Sequence, residues 1–156
     1  MAQEESLESL LPQANPMILL TGYKPPSEEK AVETWVDVSP QSPFYEVELD
    51  GVPGCVALEY MAQTMALCVG FLRRSQNLPP KIGFVLGSRK LTVTIPCFKS
   101  GERYDVRAEN TYQDDSFGSF DCTIRDSAGA VVATAQMTAF QPEDGMTPDK
   151  LEELSR

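Results

Sequence analysis

The sequence predicts an α+β fold in which a curled antiparallel sheet wraps around one long central helix. Two observations lead to this prediction. Residues 51–72 form an apolar run with one charged side chain, Glu59, and the chain after residue 81 breaks into short strand-like segments separated by turn residues. A helix that is apolar on every face belongs in a core. One sheet covers only one side of such a helix, so we also expect a dimer.

The first elements are predicted to be a short helix, a turn and a strand. Leucines at positions 7, 10 and 11 follow two glutamates, which is typical of a helix within residues 2–11. Pro12 and Pro16 end that helix and form a turn. Residues 31–38 alternate apolar and polar side chains apart from Trp35, so they predict a half-buried strand.

The long helix is predicted over residues 51–72. Pro53 and Gly54 stand at its start, where the fixed φ of proline is tolerated and glycine lets another backbone or a ligand approach. The helix is expected to end near Arg73 and Arg74, because cations suit the negative end of a helix dipole.

Glu59 is the unusual residue of this helix. Burying an ionised carboxylate without a partner costs several kcal/mol or more. We therefore interpret Glu59 as a group that does chemistry; the alternative is a carboxylate that is hydrogen-bonded inside an interface. Residues three and four apart share a helix face. The side chains that share the face of Glu59 are small or polar: Ala62, Gln63, Ala66 and Gly70.

Five strands are predicted after the helix, over residues 82–86, 90–95, 102–112, 117–125 and 130–140. Turn residues bound each of them, including Gly87-Ser88 between the first two. In the last hairpin, alternation predicts that Phe120, Cys122 and Ile124 oppose Val132, Thr134, Gln136 and Thr138. We expect the folded domain to cover residues 1–141 and a polar tail to cover residues 142–156, with a helical turn at residues 150–154.

The chain is acidic, with a formal net charge of -10 at pH 7. This argues against a general nucleic-acid-binding role, which needs a basic surface. The charge is uneven, because positions 61–107 hold eight basic and two acidic residues. That segment carries either scattered surface charge or a docking patch for an acidic partner.

The chain contains no histidine. This excludes Ser-His-Asp and Cys-His catalysis, histidine-ligated zinc and an imidazole base supplied by this chain alone. The cysteines at positions 55, 68, 97 and 122 form no CxxC pair and no secretory leader is recognised. We therefore expect reduced thiols, no metal site and a cytoplasmic protein. Pro53, Glu59 and Gln63 interrupt the apolar run, so we expect no membrane span.

Four motifs occur in order along the chain: LPQANPM at residues 11–17, VPG at 52–54 with EYMAQ at 59–63, IGFVLGSR at 82–89 and FKSGE at 98–102. Together they resemble the hotdog-fold 3-hydroxyacyl-acyl-carrier-protein dehydratases, and within that group the aryl polyene (ApeP-like) branch. The resemblance implies a hotdog fold with active sites at a dimer interface. It also implies a substrate carried on the phosphopantetheine arm of an acyl carrier protein, with no further cofactor.

The resemblance assigns roles on the central helix. Dehydration of a 3-hydroxyacyl thioester needs a base to remove an α-proton and an acid to protonate the leaving hydroxyl. Glu59 matches the family's carboxylate, and Gln63 matches the glutamine that accompanies it. Backbone N–H groups at a helix start can stabilise the thioester oxygen as it gains negative charge, and Gly54 and Cys55 are expected to do so.

Gln13 is where the sequence departs from the family. Relatives carry histidine at this position of a Leu-Pro-His-x-x-Pro-Met motif, and an amide cannot shuttle a proton near neutral pH. We expect a homodimer to be a poor or inactive dehydratase, and a second hotdog subunit with a histidine to complete the site around Glu59. Two alternatives stay open. One is a hotdog thioesterase that uses Glu59 without histidine, and the other is a subunit that binds or stabilises an acyl chain without catalysis.

Two further groups of side chains are candidate binding residues. The aromatic group either packs in the core or lines an acyl tunnel: Phe44, Tyr45 and Phe84. The basic group is expected to meet an acidic carrier protein or its phosphopantetheine phosphate: Arg89, Lys90 and Lys99.

Overall fold

The computed structural model describes residues 5–26, 30–79, 81, 83–142 and 153. The helices and strands of that part of the chain are α1 (Leu7–Leu10), β1 (Gly22–Tyr23), β2 (Ala31–Asp37), β3 (Gly51–Pro53), α2 (Ala57–Ser75), β4 (Phe84–Val93), β5 (Cys97–Lys99), β6 (Arg103–Gln113), β7 (Phe117–Arg125) and β8 (Val131–Phe140). Short 3₁₀ turns at Val47–Leu49 and Gly54–Val56 precede β3 and α2.

Six strands form one antiparallel sheet in the order β1-β2-β6-β7-β8-β4, and β3 pairs separately with β5. Strands β6, β7 and β8 follow one another as hairpins, while β4 comes earlier in the chain and pairs with β8 at the edge of the sheet. Helix α2 packs against β2, β6 and β7. The predicted α+β class, with one long helix on an antiparallel sheet, is confirmed.

The core lies between α2 and the sheet. The Tyr60 ring meets the Phe98 ring edge-on at 5.2 Å between centroids, and Phe98 meets Tyr104 in the same way at 4.9 Å. Edge-on pairs of this kind add to the free energy of burying the rings. The other fully buried side chains of α2 that share this core include Met61, Leu67 and Thr64.

Thr64 brings a polar group into this core. Its Oγ1 lies 2.8 Å from Oγ1 of Thr34 on β2 and donates to the Tyr60 carbonyl at 2.9 Å. Both threonines are completely buried. Their hydroxyls satisfy one another, which avoids the penalty of an unpaired polar group in the core.

The start of α2 is held by the β3–β5 pair. Gly54 follows β3 directly, and its N–H donates to the Pro96 carbonyl at 3.0 Å. A Cβ at position 54 would lie 2.7 Å from the Ile95 carbonyl oxygen, so only glycine allows this approach. The predicted helix start at residue 51 is wrong, because residues 51–53 pair as a strand and the α-helix begins at Ala57.

Strand β4 is exposed along almost its whole length, with only Val93 half-buried. The predicted turn at Gly87-Ser88 is wrong. Gly87 pairs with Thr138 and Ser88 with Met137, so the two predicted strands are one. The pairing with β8 is irregular on both sides of these two residues, and the strand continues past the glycine.

The register of the β7–β8 hairpin also differs from the prediction. Phe120, Cys122 and Ile124 pair with Met137, Ala135 and Ala133. The prediction placed Val132, Thr134, Gln136 and Thr138 opposite them, so it is wrong by one residue. The pairing shifts between Ile124 and Arg125, which leaves Val132 as an extra residue at the start of β8. A shift of one residue moves each later side chain to the other face of a strand.

The remaining predictions concern the termini and the apolar helix. Helix α1 spans Leu7–Leu10, inside the predicted segment. The predicted tail and its helical turn lie outside the described residues apart from Pro142 and Glu153. By length and composition the helical segment Gly54–Ser75 could cross a membrane. In this fold it is the core helix on which the sheet packs.

Candidate active site

Glu59 and Gln63 lie one turn apart on α2 and contact each other. Gln63 Nε2 donates to Glu59 Oε1 at 3.0 Å and to the Met17 carbonyl at 2.7 Å, and Gln63 Oε1 accepts from the Leu19 N–H at 2.9 Å. Gln63 is completely buried. Both N–H groups of its amide are therefore occupied, and Gln63 holds the residue 17–19 segment and orients Glu59.

Glu59 is half-buried and borders a cavity of about 320 Å³. Gln13 borders the same cavity. Pockets of this size hold small molecules or parts of larger ones. The full lining is Pro12, Gln13, Glu59, Ala62, Met65, Ala66, Val69, Lys81, Gly83, Phe84, Val85, Gln113, Gly118, Phe120, Ala139 and Gln141. Predicted helix neighbours Ala62 and Ala66 thus face the cavity with Glu59.

Gln13 is half-buried, and its Oε1 is buried with no hydrogen-bond partner among the described residues. An unpaired buried carbonyl oxygen is unfavourable, and a donor that enters the cavity would satisfy it. Glu59 can accept a proton or a hydrogen bond, and Gln13 can accept or donate only a hydrogen bond. The cavity wall therefore offers the Glu59 carboxylate for proton transfer and the Gln13 amide for hydrogen bonding; Lys81, Gln113 and Gln141 also border it.

The structure corrects the predicted oxyanion site in part. The Gly54 N–H is engaged with the Pro96 carbonyl, so it does not point freely at a ligand. Cys55 is exposed at the start of the 3₁₀ turn. Neither residue lines the Glu59 cavity. A role of the Cys55 N–H in stabilising a thioester oxygen stays a prediction.

The three predicted aromatic residues separate into two groups. Phe84 lines the Glu59 cavity and is 41% exposed. Phe44 is 52% exposed and Tyr45 donates its hydroxyl to Asp50 Oδ1 at 2.5 Å, and neither borders this cavity. Core packing is thus wrong for Phe44 and Phe84, because both side chains are exposed in this chain.

The three predicted docking residues are all exposed. Arg89 and Lys90 lie on the edge strand β4, and Lys99 ends β5. Lys90 has a positive φ of 52°, which marks the irregular point of β4. Exposure leaves all three available for an acidic partner, and docking itself stays a prediction.

Three polar residues of the cavity wall were missed by the sequence reasoning: Lys81, Gln113 and Gln141. Lys81 precedes β4, Gln113 ends β6 and Gln141 follows β8, and no local pattern marks a site at these positions. Tertiary packing alone brings them to α2. Of the three, only Lys81 belonged to a predicted feature, the basic segment at residues 61–107.

The cysteines of the structure are free thiols. Burial raises the pKa of the Cys68 thiol to about 11 and that of Cys122 to about 12, so both stay protonated near neutral pH and are poor nucleophiles. Among the described residues no group of His, Cys, Asp and Glu side chains could hold a metal ion.

Known proteins match this chain over nearly its whole length. A family model described as "ApeP-like: ApeP dehydratase" matches residues 5–151. The chain is similar to the solved structure of the dehydratase heterocomplex ApeI:P from Xenorhabdus doucetiae, with 29% identity, a TM-score of 0.86 and coverage of 97% of this chain and 98% of that chain. A search of curated proteins gives no match.

More distant structures share the fold. A hypothetical thioesterase from Streptococcus pneumoniae, solved with coenzyme A, is 17% identical with a TM-score of 0.61, covering 80% of this chain and 88% of that one. The PaaI protein of E. coli is 15% identical with a TM-score of 0.59, covering 76% and 81%. At these identities the similarity shows the hotdog fold and does not transfer an activity.

Proposed function

The chain belongs to the ApeP-like family of dehydratases, and we propose that it is one subunit of a 3-hydroxyacyl-acyl-carrier-protein dehydratase whose active site is completed by a histidine from a second hotdog subunit. The pathway we propose is aryl polyene synthesis, or a related polyketide or fatty-acid-like synthesis. The observation that supports this most is the cavity that Glu59 and Gln13 share in a chain without histidine.

The chemistry explains why a second subunit is needed. Loss of water from a 3-hydroxyacyl thioester requires one group to take the α-proton and one to protonate the departing hydroxyl. Glu59 can serve as one of these groups, and Gln13 cannot serve as the other. In this proposal the imidazole of the partner and the carboxyl group of Glu59 divide these two proton transfers between them.

The position of the cavity supports completion by a partner. Phe84 and Val85 belong both to its wall and to the exposed edge strand β4. A subunit that covers β4 would therefore border the cavity in which Glu59 lies. Strand β4 also exposes Leu86 and Leu91, apolar side chains that a subunit interface buries readily. An acyl carrier protein would deliver the substrate on its phosphopantetheine arm, with Lys99 and the Arg89-Lys90 pair as docking residues.

Turnover in the reconstituted complex tests the proposal. The chain is co-expressed with a histidine-bearing hotdog dehydratase, and loss of water from a 3-hydroxyacyl carrier protein is followed by mass spectrometry. Glu59→Gln is expected to lower kcat by about 100-fold or more, the usual contribution of a general acid or base. Glu48→Gln, a carboxylate exposed in the Val47–Leu49 turn, is the matched control and keeps full turnover.

A second candidate function is a subunit that binds the acyl chain without doing chemistry. The apolar wall supplied by Met65, Val69 and Phe120 supports it. The same experiment separates the two, because full turnover with Glu59→Gln would leave the chain as a binding subunit. In a chain assayed alone, Gln13→His is expected to create measurable dehydration, whereas Gln13→Asn is expected to create none.

Docking of the carrier protein has its own test. Replacing both Arg89 and Lys90 by Glu is expected to weaken carrier-protein affinity by about tenfold, since like charges would then face an acidic surface. Subunit affinity is measured in parallel, because both residues lie on β4. Unchanged carrier-protein affinity would place the docking surface elsewhere.

A further inference from the structure

A second cavity lies next to the one that Glu59 borders. It measures about 150 Å³ and is lined by Lys30, Cys68, Val69, Leu72, Asn110, Gln113 and Phe120. Val69, Gln113 and Phe120 also line the Glu59 cavity. We call these three shared residues the partition. The two cavities are therefore adjacent and share these three residues.

Phe120 and Gln113 form the sheet side of the partition, and of these Phe120 is buried and Gln113 is exposed. Phe120 is 2% exposed, and Gln113 donates through Nε2 to the Asp114 carbonyl at 2.9 Å. Gly118 lies beside both: a Cβ there would be 2.7 Å from Gln113 Oε1 and 3.1 Å from Phe120 Cε2. Glycine at this position leaves the space that the two side chains occupy.

The helix side of the partition is a single half-buried side chain, Val69. Positions 59, 62, 66, 69 and 72 follow one face of α2 at intervals of three and four residues. The first four line the Glu59 cavity, and the last two line the second cavity. The thirteen helical steps from Glu59 to Leu72 span about 20 Å. The cavities thus follow each other along the helix.

The chemistry of the walls indicates an extended apolar occupant. Alanines at 62 and 66 leave room beside the helix near Glu59, and apolar side chains from Met65 to Leu72 continue the wall. Charged and amide groups appear again at the far end, where Lys30 and Asn110 line the second cavity. Such a wall matches a long acyl chain whose reactive end lies at one carboxylate.

We propose that the two cavities form one channel for a long acyl chain, with the thioester end at Glu59 and the far end beyond Val69, and that Val69 determines how long a chain is accepted. This rests on the proposed function for the identity of the substrate. The partition makes the first cavity sufficient for a short chain, while a long chain must pass Val69.

Two substitutions block the channel at different depths. Val69→Phe enlarges the side chain that lies between the two cavities. Leu72→Phe fills part of the second cavity. Leu72 is 49% exposed, so we expect the fold to tolerate this change. With the reconstituted complex, both are expected to lower kcat/KM for 3-hydroxydodecanoyl carrier protein by about tenfold or more, since several methylenes lose their burial. Turnover of 3-hydroxybutyryl carrier protein is expected to stay within about twofold with Leu72→Phe, because Leu72 lies outside the Glu59 cavity.

A third substitution and a control complete the kinetic test. Val69→Ala opens the partition, so the long substrate is expected to keep or gain kcat/KM. Val131→Phe makes the same chemical change at an exposed valine outside both cavities, and it leaves both substrates unchanged. Equal losses for short and long substrates with Leu72→Phe would overturn the channel. No loss for the long substrate with both Val69→Phe and Leu72→Phe would also overturn it.

A binding measurement separates this proposal from the dehydratase proposal. The chain is titrated with cis-parinaric acid, a fluorescent polyene fatty acid, and the probe is displaced with dodecanoic or butyric acid. Dodecanoic acid is expected to compete, and Val69→Phe is expected to weaken probe binding by about tenfold. This result in a complex without dehydratase activity would sustain the channel and reject the proposed function. Probe binding that is insensitive to Val69→Phe and Leu72→Phe would reject the channel.

Discussion

Strands β7 and β4 have similar lengths and similar apolar content, yet their surroundings are opposite. In β7, Gly118, Phe120, Cys122 and Ile124 are buried in strict alternation under α2. In β4, every residue before Val93 is exposed. The difference lies in position, since β7 runs through the middle of the sheet and β4 forms its edge.

The contrast shows which strand is covered by the chain's own residues and which strand is left uncovered. Alternating burial means that the chain itself supplies the cover for β7. An exposed edge with apolar side chains is a site where another chain can add to the sheet. The candidate active site lies between these regions, because its wall takes Phe120 from β7 and Phe84 from β4. Four predictions measure the difference, from the largest effect on stability to the smallest.

The largest effect is expected for truncation under the helix. Ile124 is completely buried, so Ile124→Ala should lower the free energy of unfolding by about 4 kcal/mol, from lost burial and the cavity that remains. The matched change on the edge, Leu91→Ala, removes a side chain that is 44% exposed and should lower it by less than about 1 kcal/mol. Urea unfolding of the isolated chain at low concentration measures both. Similar losses would mean that β4 is covered in the isolated chain.

A smaller effect is expected at Gln63, where α2 holds the segment that leads to β1. Gln63→Leu leaves the Met17 carbonyl and the Leu19 N–H without their partner, at a cost of about 3 kcal/mol. Hydrogen exchange gives a local readout, because the Leu19 amide should exchange much faster in the variant. Gln136→Leu, an exposed glutamine on β8, is the control. Unchanged protection of Leu19 would contradict the role of Gln63 as the group that holds this segment.

The buried Thr34–Thr64 pair should give a still smaller effect. Thr64→Val leaves the Thr34 hydroxyl unpaired in the core and should lower the free energy of unfolding by about 1.5 kcal/mol. Replacing both threonines by valine removes both polar groups, so the double variant should be more stable than Thr64→Val alone. A double-mutant cycle in urea checks this. Additive losses would mean that the two hydroxyls do not depend on each other.

The same contrast explains how much of the fold could be predicted from the sequence. The covered strands β2, β6 and β7 were located within about a residue, because a face that packs on a helix imposes a period of two. The edge strand β4 was predicted as two strands with a turn at Gly87. An exposed strand has no alternation of buried and exposed residues to mark its continuation, so the glycine was interpreted as a turn. The β7–β8 register was missed since Val132 is an extra residue of the pairing, and the small partners Ala133 and Ala135 give little hydropathy signal.

The sequence predicted residues of the candidate site only where a residue stands out from its neighbours in the chain. Glu59 was recognisable as the single charge of an apolar run, and Gln13 was recognisable from its place in a motif. Neither pattern could show that the two side chains share a cavity, or that Gln63 uses both its N–H groups to hold other groups. Nor could the sequence show that the Gly54 N–H is already hydrogen-bonded, because its partner Pro96, which directly precedes β5, is distant in sequence.

The smallest effect on stability, and the most informative one for function, is expected on the edge strand. Leu86 is 59% exposed, so Leu86→Lys should change the free energy of unfolding of the isolated chain by no more than about 0.5 kcal/mol. In the complex the new charge would stand on the strand that we propose a second subunit covers. Burying an ammonium group there without a partner should weaken association by at least about tenfold. Leu78→Lys makes the same change at an exposed leucine beyond α2 and should leave association intact. Titration calorimetry with the histidine-bearing subunit measures both variants, and equal affinity for Leu86→Lys and the unmodified chain would place the subunit interface away from β4.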